Sequence, residues 1–412
     1  MQNYEIKALG RQGDGIAEGP VFIPRTLPGE IVSGQRDGDR VTDVRIVTPS
    51  ADRVAPPCRH FKSCGGCQMQ HASDALVADW KVGIVRTALA AQSLDAPIRG
   101  IETSPTRSRR RARFAARRTK SGALAGFHGR KSDVLVDVVD CPLISDDLAK
   151  GLDLTRALAV VGASRKGEIL VQCNAVQGGL DVSVEDGKPL DQELRIKLPQ
   201  IAAEHGVLRL TWNGELAAQL APPQHKIGKA DVPLPPGAFL QATEHGEKAL
   251  QAFVLEATEG AHAVADLFAG CGTFSLRLAE RGPVTAVEGD KPMTRALQEA
   301  ANHAGLAYPV RSLTRDLFDD PLTEPELAKF DAVVLDPPRA GAQAQAQRLA
   351  KSDVPVIAYI SCDPASFARD VRILVDGGYQ VEWVHVVDQF RWSPHTEVAA
   401  RLTKSHMQPG RD

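Results

Sequence analysis

AVADLFAGCGTFSLRLAERG, residues 263–282, reads as three pieces in a row: an apolar strand, a turn carrying G-x-G at Gly270–Gly272, and a helix stopped by Gly282. Glycines at such a turn let the backbone fold tightly and approach a ligand closely. A plain tight turn shares that signature, so the surroundings matter. Reading outward, PVTAVEGD (283–290) is a second strand, and it puts Glu288 18 residues past Gly270, where a carboxylate takes ribose hydroxyls in nucleotide-type folds. The third glycine of a dinucleotide fingerprint is absent, with Phe274 and Ser275 standing near its place. That argues for a single-nucleoside ligand such as S-adenosylmethionine rather than a dinucleotide. FDAVVLDPPRAG (330–341) and VPVIAYISCDP (354–364) are buried strand runs expected to end at Asp336 and Cys362. Helical stretches alternate with these strands, so the expected fold class is α/β, a mostly parallel, doubly wound, Rossmann-like sheet. QVEWVHVV (380–387) and TEVAARLT (396–403) have no helix between them and predict a closing antiparallel pair.

Ligands of such sheets bind beyond the carboxyl ends of the strands. Asp266, Glu288, Asp336 and Cys362 are all expected there, and Asp316 follows the strand YPVRSL. An antiparallel last strand would deliver Glu397 to the same crevice. Cys362, in S-C-D-P between a strand and a helix, is placed as a nucleophile toward an electrophilic carbon. The plainer reading is a buried structural cysteine.

The chain has 412 residues, 43% hydrophobic and 24% charged, which suits a globular protein of two or three domains. Neither a signal-peptide h-region at the start nor an 18-residue apolar run is visible, so a cytoplasmic chain with no membrane partner is expected. That compartment disfavours disulfides and makes cysteines ligands or nucleophiles. Residues 1 to about 50 are short strands cut by glycines, a small β-barrel pattern. Ser73 can cap a helix through about Gln92, with Val77, Trp80, Ile84 and Ala88 on its apolar face. APPQHKIGKADVPLPPG (221–237) reads as a boundary or long loop. The net charge of −2 is uninformative, but TRSRRRARFAARR (106–118) holds seven arginines and no acid. Strand alternation there puts Arg111, Arg113 and Arg117 on one face and Ala112, Phe114 and Ala116 on the other. A solvated face with surface ion pairs is the bland reading; RNA phosphate contact is the functional one.

These motifs together resemble the S-adenosylmethionine-dependent RNA uracil-5-methyltransferases. The resemblance runs over nearly the whole chain: DLFAGCGTFSL for the cofactor loop, LDPPRAG, ISCDPASFARD for the nucleophile, PHTEVAAR near the end, and FLQAT (239–243) opening the catalytic part. It implies a class I methyltransferase domain over 238–412, an OB-like TRAM RNA-binding barrel over 1–52, and a mixed α+β central domain over 53–237, whose helical segment 73–105 packs on the catalytic domain. It implies that Cys362 adds to uracil C6, that Glu397 removes the C5 proton, and that the target base is flipped out. Gln241, Phe268, Thr273, Glu288, Asp316 and Asp336 would contact the cofactor, and Asp336 and Arg339 would hold the uracil edge. Two residues depart from the common pattern: Thr273 stands where Asn is usual, and Asp363 makes the nucleophile motif S-C-D-P rather than S-C-N-P. The second puts a carboxylate beside the thiol, which would raise its pKa. Members with a cysteine cluster act mostly on large-subunit rRNA, so 23S rRNA is the favoured partner of a chain read as a monomer, with the tRNA T-loop as the alternative.

CRHFKSCGGCQMQH (58–71) sets Cys58, Cys64 and Cys67 at C-x5-C-x2-C. A fourth ligand is needed for a closed site. Cys362 is spoken for, Cys271 lies in the cofactor turn and Cys173 in a strand. Cys141, followed by Pro, matches a ligand pattern of ferredoxin-type clusters. The resemblance points to a [4Fe–4S] cluster on Cys58, Cys64, Cys67 and Cys141; a zinc site using His60 or His71 stays open. A radical enzyme would need C-x3-C-x2-C, and a non-enzymatic RNA-binding module leaves Cys362 and Glu397 without work.

Overall fold

The computed structural model describes residues 2–19 and 21–404; the expected domain limits at Met1 and Asp412 lie outside them. Short aliphatic runs build an eight-stranded sheet in the order Val310–Thr314, Val284–Glu288, Val264–Leu267, Ala332–Leu335, Val356–Ser361, Glu397–Lys404, Tyr379–Asp388, Ile98–Thr103. The first five run parallel, and Glu397–Lys404 is antiparallel to both its neighbours. Helices cover both faces. Leu267, Leu335, Tyr359, Phe367 and Val371 pack on one side and Ala286, Val334, Ile360, Leu250 and Val254 on the other. Each large aliphatic or aromatic side chain sealed this way contributes about 1.5–3 kcal/mol. Strand order reverses between Val264–Leu267 and Ala332–Leu335. A crevice therefore opens beyond their carboxyl ends, the place such sheets bind ligands.

The eighth strand corrects the reading of 73–105 as one helical segment. The helix covers Asp74–Ala90, capped by Ser73, and Ile98–Thr103 pairs parallel with Tyr379–Asp388. The IRGIET run has too little alternation to announce a strand; pairing onto the open edge supplies what the pattern lacks. The segment 221–237 is likewise not one long loop. Gln224–Ile227 and Ala230–Pro233 form a hairpin that buries Ile227, Ala230 and Val232 against Leu276, Ala296 and Ala300 of the catalytic part.

Toward the start, six strands between Gln2 and Thr48 form one sheet around Tyr4, Ile6, Val21, Ile23, Val32 and Val41. Seven strands between Arg111 and Gln219 form a third sheet, with helices Asp146–Gly162 and Gln192–Glu204 packed on it. Among the described residues no helix is long and apolar enough to cross a membrane.

Candidate active site

The glycine turn is bent by its own geometry. Phe268 sits at φ 63° and Gly270 and Gly272 at 55° and 94°, and a Cβ on Gly272 would meet Leu297 at 2.9 Å. Glu288 braces the turn, one carboxylate oxygen accepting from Gly270 N at 3.0 Å and the other from Asp290 N at 2.9 Å. Asp316 is exposed and accepts from Phe318 N at 2.9 Å, with its backbone against Gly289. The Phe268 and Phe318 rings lie 5.5 Å apart. Phe318 is 47% exposed, an aromatic face open to a ligand that the sequence did not single out. Gln241 is buried, its Oε1 accepting from Gln389 Nε2 at 2.7 Å, just before the helix Glu244–Ala257. From that helix Gln251 donates to the Thr273 carbonyl at 3.1 Å. Asp266 is not at a strand end. It lies inside Val264–Leu267, wholly buried, and one of its oxygens takes the Ser275 hydroxyl, so it braces the turn.

The antiparallel ladder ends on the pair Ser361–Val398. Cys362 and Glu397 are the next residues along the two strands, and Glu397 is close enough to raise the Cys362 thiol. Asp336 follows Leu335 on the adjoining strand, half-buried, its N–H on the Leu267 carbonyl at 3.3 Å. Arg339 is exposed, within 3.2 Å of His395 Nδ1. Acidic groups crowd this crevice. Burial pushes Glu397 up to about 7, while Arg339 and Lys81 pull it down. Burial, then Glu397, Asp266 and Glu288, hold Asp336 well above the carboxylate range. Burial, then Glu397 and Asp336, push the Cys362 thiol up to about 11. Such a crevice is complementary to a cationic ligand. Asp363 caps the helix Pro364–Asp376 through Ala365 N and Ser366 N, and its other oxygen takes Arg11 at 3.0 Å.

Cys362 opens on a cavity of about 560 Å³ whose walls also carry Cys58, Cys64, Cys67 and Cys141. The cysteine segment and the nucleophile, 295 residues apart between Cys67 and Cys362, thus share one space. The four thiols sense one another electrostatically, and backbone N–H groups of Gly66, Leu143 and Ile144 point at the sulfurs of Cys64 and Cys141. Burial raises Cys64, Cys67 (to about 12) and Cys141. Among the described residues no three His, Cys, Asp or Glu groups converge closely enough for a single ion. Tetrahedral zinc needs its sulfurs about 3.8 Å apart. His71 is buried beside Phe61, and burial lowers its pKa to about 4; His60, not His71, lines the cavity wall.

The model of the tRNA (uracil-5-)-methyltransferase family matches residues 315–405. An uncharacterized RNA methyltransferase of Mesorhizobium japonicum is 42% identical, with 99% of each chain covered, and one of Brucella suis is 40% identical, with 97% of each covered. The 23S rRNA (uracil(1939)-C(5))-methyltransferase RlmD of Shewanella is 32% identical, covering 97% of this chain and 95% of that one. The chain belongs to the RNA uracil-5-methyltransferase family. Its fold agrees: the solved Pyrococcus abyssi tRNA (uracil-54, C5)-methyltransferase, in complex with S-adenosyl-L-homocysteine, superposes with TM-score 0.76 at 20% identity over 97% of this chain and 99% of that one.

In this methyltransferase the arginine strand alternates as expected, yet its outward cations are engaged. Arg113 pairs with Glu185 at 2.5 Å and Arg117 with Glu168 at 2.9 Å, while Arg111 stacks on Phe239 at 4.7 Å. Arg109 and Arg113 still reach the Cys362 cavity. On the far side of the cysteine segment a groove of about 530 Å³ carries Arg25, Arg40, Lys62 and Lys131, all exposed and without an ion pair among the described residues. Phe61, Cys64, Cys67 and Gln68 line both the groove and the cavity. No charge run in the sequence marks that groove, because its cations come from four separate loops and strands.

Proposed function

We propose that this methyltransferase methylates C5 of a uridine in 23S rRNA through a covalent adduct on Cys362. The closeness of Cys362 and Glu397, each one residue past the last pair of the antiparallel ladder, at the mouth of an acidic crevice carries the reading. The Cys362 thiolate adds to uracil C6, and the electron pair released toward C5 makes that carbon a nucleophile. S-adenosylmethionine, when bound, supplies the methyl on a cationic sulfonium, for which the crevice of Glu288, Asp336 and Glu397 is suited. Glu397 then takes the C5 proton, the C5–C6 double bond re-forms, and Cys362 leaves. Asp336 and Arg339 hold the uracil edge, and Gln241, Phe268, Thr273, Glu288 and Asp316 line the nucleoside. The base must leave its stack to enter, at a cost of a few kcal/mol, offset by phosphate contacts along the groove of Arg25, Arg40, Lys62 and Lys131.

Cys58, Cys64, Cys67 and Cys141 would hold a [4Fe–4S] cluster. Four thiols lining one cavity, with N–H donors aimed at two of the sulfurs, support that reading. Its service there is to brace the wall between the cavity and the groove. Iron and acid-labile sulfide in anaerobically purified protein test it; a colourless zinc protein refutes it. We read the chain as a cytoplasmic monomer, with residues 1–52 as its TRAM barrel.

RNA containing 5-fluorouridine, with cofactor, should trap wild type as a stable protein–RNA adduct. An adduct in Cys362→Ala sinks the nucleophile assignment. Nucleoside mass spectrometry of rRNA and tRNA from a deletion strain tests the substrate: loss of 5-methyluridine from 23S rRNA is expected, and loss from tRNA alone overturns the rRNA reading.

A further inference from the structure

Lys81, in the helix Asp74–Ala90, is wholly buried. Its ammonium meets Asp388 Oδ1, the Phe390 carbonyl at 3.1 Å and the His395 carbonyl at 2.9 Å. An ammonium has three protons to place, and all three go to one segment, the last residue of strand Tyr379–Asp388 and the link from it to Glu397–Lys404. Burying a lysine is costly, and a packed apolar residue would hold the helix to the link at least as well. The lysine therefore calls for another explanation than stability.

The same link is gripped from other sides. Its Trp392 carbonyl accepts from Gln68 N at 2.7 Å and Met69 N at 3.0 Å, at the end of the cysteine segment. Its Arg391 reaches Asp74 Oδ2 at 2.5 Å and the Ser104 carbonyl at 3.3 Å. Trp392 itself sits at φ 61°, a strained setting for a bulky residue that persists only where the surroundings over-determine it. Two residues past His395 comes Glu397.

We propose that Lys81 is a positioning residue for the general base: by gripping residues 388–395 it sets the entry of the last strand and so the place of the Glu397 carboxylate. This rests on the reading of Glu397 as the base. Cys362 follows a different strand, Val356–Ser361, and the hydrogen bonds of Lys81 go to Asp388, Phe390 and His395 instead. Loss of Lys81 should therefore spare thiolate addition and methyl transfer but slow removal of the C5 proton.

The test is the covalent protein–RNA complex formed on ordinary substrate RNA with S-adenosylmethionine, read on denaturing gels beside turnover. Lys81→Met leaves Asp388 buried without its cation, so Lys81→Met/Asp388→Asn, which removes both charges, is measured with it. Turnover should fall on the order of 10²-fold, the scale of an ångström-sized misplacement, while the trapped fraction rises. Lys81→Arg should recover part of the turnover. Adduct and turnover falling together in both variants, or neither changing, overturns the proposal. Trapping in Glu397→Gln but in neither Lys81 variant sinks the positioning role alone. Absence of trapping in Glu397→Gln sinks the base reading, and this inference with it.

Discussion

Glu397 and Cys362 face opposite demands in one small space. A base must be ionised to act, and Glu397 is pushed up to about 7 by burial against the pull of Arg339 and Lys81, with Asp336 and Cys362 also facing it. Its ionised fraction grows as pH rises through that value. Proton removal should therefore quicken from about pH 6 to about pH 8 and then level off. Single-turnover decay of the adduct against pH reads this, and a flat profile would remove Glu397 as the base. Cys362, pushed up to about 11, is a protonated thiol in the free chain at neutral pH. A cation in the crevice offsets Glu397 and Asp336 and lowers that value. Alkylation of Cys362 by iodoacetamide, mapped by peptide mass spectrometry, should thus be faster with S-adenosylmethionine than with S-adenosylhomocysteine, which lacks the sulfonium charge; equal rates argue against this electrostatic link. Much at this scale was legible. Strand-end position picked out Glu288, Asp336 and Cys362, because a parallel sheet delivers its strand ends to one crevice. Asp266 lies one residue short of the end of its strand, since strand limits read from sequence are soft by a residue or two, and there it braces the turn through Ser275. Lys81 went unnoticed although it stands on the apolar face, four residues after Val77 and three before Ile84. A charge on that stripe was the available signal.

Among elements, the glycine turn is the most sharply constrained. Gly272 sits at φ 94°, with Leu297 at 2.9 Å and Leu276 at 3.1 Å from where a Cβ would stand, both closer than van der Waals contact. Gly272→Ala should cost about 1–3 kcal/mol of stability and weaken S-adenosylhomocysteine binding. Thermal melts with and without that ligand measure both; an unchanged ligand-induced shift would detach the turn from the cofactor. The strand–turn–helix order around it was readable from residues 263–282 alone, since the backbone conformation is demanded locally. Ile98–Thr103 and the hairpin 224–233 were not. Each is a short, weakly patterned run stabilised by a partner far away in the chain, and local sequence carries no trace of a distant edge.

Across the whole molecule, binding of RNA should depend on charge that is free to meet phosphate. Replacing Arg25, Arg40, Lys62 and Lys131 with Gln should weaken RNA binding and flatten its salt dependence, by up to about 3 in the log–log slope at roughly 0.7 per phosphate contact. Arg113→Gln/Arg117→Gln should change the slope less, since Glu185 and Glu168 already occupy those cations. Fluorescence anisotropy at several salt concentrations separates the two sets; the reverse ranking would return the RNA path to the arginine strand. The seven-arginine run was visible in the sequence, but its partners were not, because Glu168 and Glu185 lie on strands that only the folded sheet brings alongside.

The outermost strand of the catalytic sheet, Ile98–Thr103, has a practical consequence for dissecting the protein. A chain begun at residue 238 would hold every catalytic residue yet leave Tyr379–Asp388, with its run of valines, as a bare β-edge. Unprotected edges of that kind invite chain-to-chain pairing and insolubility. A separable catalytic fragment would have to keep residues from about 74 to 103 in trans or in cis. Module exchange between relatives faces the same obstacle: the seam to cut along follows the sheet, and the sheet is sewn through both halves of the sequence.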